Sequence, residues 1–206
     1  DDTVCTFACA EALLRNLNMA ENLWNRCRAD FYRGFGGRFA RWLIAKEIQP
    51  SYHSYGNGSG MRVSAAGFMA KSIEECIDLA TKTALPTHDH PEGIKGAVAT
   101  ALAIFYGMQG KDKDFIRKQV LDEYYPNWSA LTYEGIKPGY GFDETCQQTI
   151  PAALICFLES KNYEDCLKLA IALGGDADTL AAISGPMAYA FYKTMSEELI
   201  ANAKAK

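Results

Sequence analysis

Apolar residues recur along most of the chain at the three- and four-residue spacing of amphipathic helices, and strand-like alternation is nearly absent. From Ser72 onward, Ile73, Cys76, Ile77, Ala80 and Ala84 fall at helical offsets, and Ser72 with Glu75 makes a capping box. After Asn162, the positions Tyr163, Cys166, Leu167 and Ala170 repeat that spacing until Gly174-Gly175 stops it. The pattern predicts further helices over Val4 to Leu17, Arg38 to Glu47, Pro91 to Met108, Lys113 to Tyr125, Asp143 to Leu158 and Leu180 to Lys193. Polar and glycine residues gather between them, at Pro50 to Gly60, Leu85 to His90 and Tyr125 to Gly141, and chemistry is expected in these loops. The expected fold class is all-α, a single compact multi-helix domain over residues 1–206.

Composition narrows the function classes. A chain of 206 residues, 49% hydrophobic and 22% charged, can bury a sizeable core without disulfide staples. Its formal net charge of −4 leaves no basic excess to grip nucleic acid or an anionic membrane. The longest uncharged apolar stretches, Ala97 to Met108 and Leu180 to Tyr192, are shorter than the roughly 18 residues of a membrane span. The cysteines are odd in number and scattered over apolar helix positions, as expected of reduced core thiols in a cytoplasmic protein, here expected to be a monomer. Two adjacent acids open the chain directly against an amphipathic helix, so further sequence upstream of Asp1 is expected.

The acids at the two ends share one form. Asp1-Asp2-Thr3 and Asp176-Ala177-Asp178-Thr179 are each an acid-rich turn closing in Asp-Thr before a helix of small and apolar residues. Singly, either is accounted for by capping, with Asp178 or Thr179 starting the last of these helices and Asp2 or Thr3 the first. Packed side by side, the two helices would bring four carboxylates into a small volume, where mutual repulsion raises their pKa values and a hard cation relieves it. Oxygen ligands of this kind suit Mg²⁺, Mn²⁺ or Ca²⁺ better than Zn²⁺, and four carboxylates can hold two such ions.

Two glycine-rich segments and one histidine pair complete the candidates. Gly56-Asn57-Gly58-Ser59-Gly60 reads either as a flexible loop or as backbone N–H groups turned inward around an anion such as a diphosphate. Arg33-Gly34-Phe35-Gly36-Gly37-Arg38 has similar chemistry at the start of another helix. His88 and His90 lack the third protein ligand of a zinc site; the segment is expected to hydrogen-bond a ligand at the mouth of the helix at Pro91, or Asp89 or His90 to cap that helix.

Taken in order, Asp1-Asp2-Thr3, Gly56 to Arg62, Thr87-His88-Asp89-His90-Pro91-Glu92-Gly93, Tyr140 to Cys146 and Gly174 to Thr179 resemble the motifs of the ADP-ribosylglycohydrolase family over essentially the whole chain. The resemblance implies an all-helical fold with two Mg²⁺ or Mn²⁺ ions, hydrolysing the bond between C1 of the terminal ribose and an acceptor. It implies metal ligation by Asp1, Asp2, Asp176, Asp178 and Thr179, with Asp1, Asp2 and Asp178 catalytic. Substrate contacts carried over by the same resemblance are Gly34, Phe35, Gly36, Gly37, Asn57, Gly58, Ser59, Met61 and His88. The family threonine that precedes the paired aspartates, and an upstream segment carrying a metal-proximal glutamate, have no counterpart in this sequence. The implied partners are an ADP-ribosylated protein or a small ADP-ribose conjugate.

A ribosyl bond breaks through an oxocarbenium-like transition state, so such a site must orient water, polarise the ribose hydroxyls and manage a proton, the last falling to a metal-bound carboxylate. The competing class is an ADP-ribose or nucleotide-binding module of the same fold that has lost the chemistry. A metal-dependent phosphohydrolase is a third reading, without a supporting histidine-aspartate motif.

Overall fold

The computed structural model describes residues 1–204. The chain winds through α1 (Asp2–Arg15), α2 (Met19–Ala29), α3 (Gly37–Ile44), α4 (Gly58–Met61), α5 (Ser64–Met69) and α6 (Ile73–Ala84). It continues through α7 (Pro91–Met108), α8 (Lys113–Ile116), α9 (Tyr133–Ile136), α10 (Cys146–Glu159), α11 (Tyr163–Leu173), α12 (Ala177–Tyr192) and α13 (Glu197–Lys204). Among the described residues β pairing is limited to one isolated bridge, between Gly56 and Thr145.

Helix α7 is the axis of the fold. Every residue from Gly96 to Gly107 is buried, because α4, α5, α6, α10 and α12 surround it. A helix apolar on all sides is one enclosed on all sides. Its small residues set how close the neighbours come: a Cβ on Gly96 would stand 2.4 Å from the Cys146 sulfur of α10. Helix α10 is likewise buried without a break from Thr149 to Leu158, and α12 packs against α7, α10 and α11. All the cysteines are buried and free. No helix among the described residues is long and apolar enough to cross a membrane.

Several expected boundaries move for local reasons. Helix α1 ends at Arg15 rather than Leu17, because Asn16 takes the left-handed conformation, φ 51°, and its N–H returns to the carbonyls of Ala12 and Leu13. Helix α10 starts at Cys146, three positions after Asp143, whose carboxylate instead accepts from the Thr145 N–H at 2.7 Å. Lys113 to Tyr125 is not one α-helix: after α8 the backbone widens into a π-helical stretch over Arg117–Asp122. Helix α2, unforeseen in the hydrophobic pattern, buries only Leu23 and Cys27 and is started by Asn18, whose side chain accepts from the Glu21 N–H.

Candidate functional site

Helices α1 and α12 pack against each other, and the short helix α4 contacts both. The Thr6 hydroxyl of α1 lies 3.1 Å from the Met61 carbonyl at the end of α4, and the Asn57 amide at its start donates to Asp176 at 2.7 Å. These contacts bring the two acidic turns to one cavity of about 390 Å³, lined by Asp1, Asp176, Asp178 and Thr179 on its acidic wall. Gly34, Gly36, Gly37 and Arg38 line it too, with Asn57, Gly58, Met61, Arg62 and His88.

Capping does not account for the acids. Asp1 and Asp176 occupy the N-cap positions of α1 and α12, yet neither carboxylate makes a cap hydrogen bond. Helix α12 begins at Ala177 rather than near Leu180, which places Asp178 and Thr179 in its first turn. Gly174 and Gly175 bring the chain there with φ of 85° and 66°, and a Cβ on Gly175 would meet the Gly141 carbonyl oxygen at 2.7 Å.

Electrostatics in the cavity are bipolar. Burial raises the Asp2 pKa, the neighbouring Asp178 charge adds to it, and one Asp2 oxygen, Oδ1, is buried with no hydrogen-bond partner. Burial also raises Asp176, against the stabilising Asn57 amide and with Asp178 again adding. The same cavity carries cations: the Arg38 guanidinium lies 4.9 Å from the Tyr52 ring centre and donates to the Tyr52 carbonyl. Arg62 is fully buried. His88 is held well below its ordinary pKa, chiefly by burial and further by Arg62 and Arg38.

Among the described residues, no group of three or more His, Cys, Asp or Glu side chains is placed so that it could hold a metal ion. The donor set nevertheless fits a hard cation. It supplies oxygens alone and it includes the orphaned Asp2 Oδ1, and burial, with the Asp178 charge, raises the pKa of Asp2 and Asp176.

Not every residue singled out in the sequence reaches the cavity. Gly34, Gly36, Gly37, Asn57, Gly58, Met61 and His88 line it, but Asp2, Phe35 and Ser59 do not, Asp2 lying half-buried in the first turn of α1. Phe35 packs edge-on against Phe39, and the buried Ser59 hydroxyl donates to the Gly93 carbonyl at 2.7 Å. Gly56 to Gly60 is neither a flexible loop nor a left-handed cradle, since none of its glycines has positive φ and the segment runs into α4. Its glycines allow close packing: a Cβ on Gly58 would stand 3.1 Å from His88 Nε2. His90 caps α7, its Nδ1 accepting from the Glu92 N–H at 3.1 Å.

The cavity also includes Arg38, Phe39, Tyr52, Ser54, Phe142 and Glu144, to which the sequence assigned no role. Arg38 carries a signal, being a cation beside a glycine-rich turn. Phe142 and Glu144 lie in the Tyr140 to Cys146 motif, which gave them no individual role, and the fold leaves Phe142 68% exposed at the cavity.

Comparison with known proteins gives the family and the fold. The chain is 25% identical over 255 residues to ADP-ribosylhydrolase ARH3 of Homo sapiens, an alignment covering 93% of this chain and 70% of that protein. The protein of the same name from Xenopus tropicalis is 24% identical, covering 93% and 73%. A solved structure titled "ADP-ribosylglycohydrolase-related protein complex" superposes with a TM-score of 0.72 at 24% identity, over 93% of this chain and 70% of that one, and shares the fold. The family model described as ADP-ribosylglycohydrolase matches residues 1–197, and the chain belongs to that family.

Proposed function

We propose that this protein is a divalent-metal-dependent hydrolase that cleaves the C1 bond of a terminal ribose in an ADP-ribosylated protein or a small ADP-ribose conjugate, releasing ADP-ribose. The observation that carries this reading is the meeting of the two acidic turns, from α1 and α12, in one cavity that Arg38 and Arg62 also line. Asp1, Asp2, Asp176, Asp178 and Thr179 would hold two Mg²⁺ or Mn²⁺ ions. Bound there, such ions supply Lewis-acid polarisation of the ribose hydroxyls and of a water.

The chain's own residues divide the remaining work. The N–H groups at the start of α3, from Gly36 and Gly37, together with Arg38, receive the diphosphate, where a helix N-terminus and a guanidinium both favour negative charge. Asn57 holds the Asp176 carboxylate in place. Asp178, exposed to the cavity, accepts the proton of the attacking water.

The test is release of ADP-ribose from proteins carrying defined serine and arginine linkages, by the wild-type protein and by Asp176→Ala and Asp178→Ala. Turnover by the wild type and its loss in both variants are expected. Turnover retained in both would overturn the assigned site. Tight ADP-ribose binding without any wild-type turnover would make the protein a binding module.

A further inference from the structure

Arg62 is an unusual lining for the cavity. It is 1% exposed, yet every acceptor its guanidinium reaches is neutral: the Thr83 carbonyl at 2.8 Å, the Ala84 carbonyl at 3.4 Å and the Thr87 hydroxyl at 2.9 Å. A buried cation with no carboxylate beside it is costly, so such an arrangement calls for a use. The Thr87 oxygen in turn lies 2.8 Å from His88 Nδ1. Thr87 is completely buried, and His88 Nε2 lies beside Gly58 in the cavity lining.

Proton counting orders this chain. Arg62 has only donors, so the Thr87 oxygen must accept from it. The single Thr87 proton then needs an acceptor, and its hydroxyl has two partners besides Arg62, His88 Nδ1 at 2.8 Å and the Tyr52 phenol, of which the imidazole lone pair is the stronger acceptor. Were Nδ1 protonated, the buried hydroxyl would accept twice and its own proton would be left to the weaker acceptor, the Tyr52 phenol oxygen. Tyr52, which neighbours Thr87, stays a protonated phenol, its pKa pushed up to about 12 by burial, and has a proton of its own to give.

The geometry points to Arg62 and Thr87 as positioning residues that lock His88 in the neutral Nε2–H form, making it an obligate hydrogen-bond donor to an oxygen of the bound ligand. The arrangement disfavours an imidazolium, beside the Arg62 charge, and an accepting Nε2, which would repel phosphate or ribose oxygens. The ligand's identity rests on the function proposed above; the state of the ring does not.

The two are therefore measured apart. The chain has 3 histidines, so ¹⁵N-histidine spectra of the ligand-free protein can be assigned with His88→Gln. At neutral pH the His88 ring should show a protonated Nε2 and an unprotonated Nδ1. Thr87→Val, which keeps shape and loses the hydroxyl, should release the ring into a mixture of tautomers and weaken ADP-ribose binding roughly tenfold, the cost of about one hydrogen bond. Thr87→Ser should restore both. An Nδ1–H ring or an imidazolium in the wild type, or a Thr87→Val ring unchanged in tautomer, would overturn the proposal. A wild-type ring in the Nε2–H form in a protein that does not bind ADP-ribose would instead count against the ligand.

Discussion

The Asn57 side-chain amide donates to the Asp176 carboxylate at 2.7 Å across a separation of 119 residues, and the same nitrogen lies 3.2 Å from the Thr149 hydroxyl. One buried amide thus ties the acidic turn before α12 to the start of α4 and to α10. The bond opposes the burial that raises the Asp176 pKa, so it favours the charged form that a cation needs.

Asn57→Ala should accordingly cost stability and metal affinity together. Removing one partner of a buried hydrogen bond costs about 1–3 kcal/mol. Loss of a group that orients a metal ligand lowers affinity about 10- to 100-fold. Urea unfolding reads the first and calorimetric titration with Mg²⁺ the second; unaltered Mg²⁺ affinity would remove Asn57 from the site.

Metal-free protein should be strained by its own acids. Asp2 and Asp176 have raised folded pKa values, so the native state holds their protons more tightly than the unfolded chain. Their contribution is therefore favourable at low pH and is lost as pH rises through the folded values. At neutral pH, Mg²⁺ at about a hundred times its Kd should add roughly 2.7 kcal/mol. Asp2→Asn should raise the metal-free melting temperature and blunt the Mg²⁺ response. A variant that melts lower than wild type without metal would contradict the charge argument.

The sequence announces a helix most plainly where its environment is uniform. Pro91 to Met108 is legible to the residue because Pro91 marks the first turn and the apolar run is buried on all sides. Helix α2 is nearly silent because Leu23 and Cys27 are all it buries, although Asn18 and Glu21 spell its cap. The acidic turns are legible as chemistry, since two Asp-Thr endings before small-residue helices are visible without coordinates. What brings them together is not, because Asn57 to Asp176 and Thr6 to Met61 are contacts between distant segments. Gly56 to Gly60 misleads for a related reason: three alternating glycines suggest backbone freedom, whereas His88 and Ile150, far away in sequence, require their lack of side chains.

Gly175 should tolerate no side chain. Its φ of 66° costs a non-glycine residue about 1–2 kcal/mol, and the added Cβ would also meet Tyr140 Cε1 at 2.9 Å and the Gly141 oxygen at 2.7 Å. Gly110 is the control, with φ 72° but nothing within 4 Å. Gly175→Ala should therefore destabilise more than Gly110→Ala in chemical denaturation. It should also weaken Mg²⁺ binding, because Asp176 is the next residue. Equal losses in the two variants would show that the Tyr140–Gly141 contact gives way freely.

His88 should make stability fall with acid over a defined window. Its surroundings are Arg62, Arg38 and the phenol of Tyr52, with Thr87 on Nδ1, and burial first and the two arginines next hold its pKa well below 6.5. Above about pH 6.5 the ring is neutral both folded and unfolded, and it adds no pH dependence. As pH falls below that value the unfolded chain takes up a proton that the native ring refuses, so the native state loses stability, by up to about 1.4 kcal/mol per pH unit, until the folded pKa is reached. His88→Gln removes this proton while leaving His53, His90 and every carboxylate in place, so subtracting the variant's curve from the wild type's isolates the one group. Urea unfolding of both proteins from pH 7.5 to 5 should give parallel stabilities above pH 6.5 and a wild type that declines more steeply below it. Parallel curves throughout would mean that the folded ring protonates as freely as a solvated one, and that Arg62 does not hold it neutral.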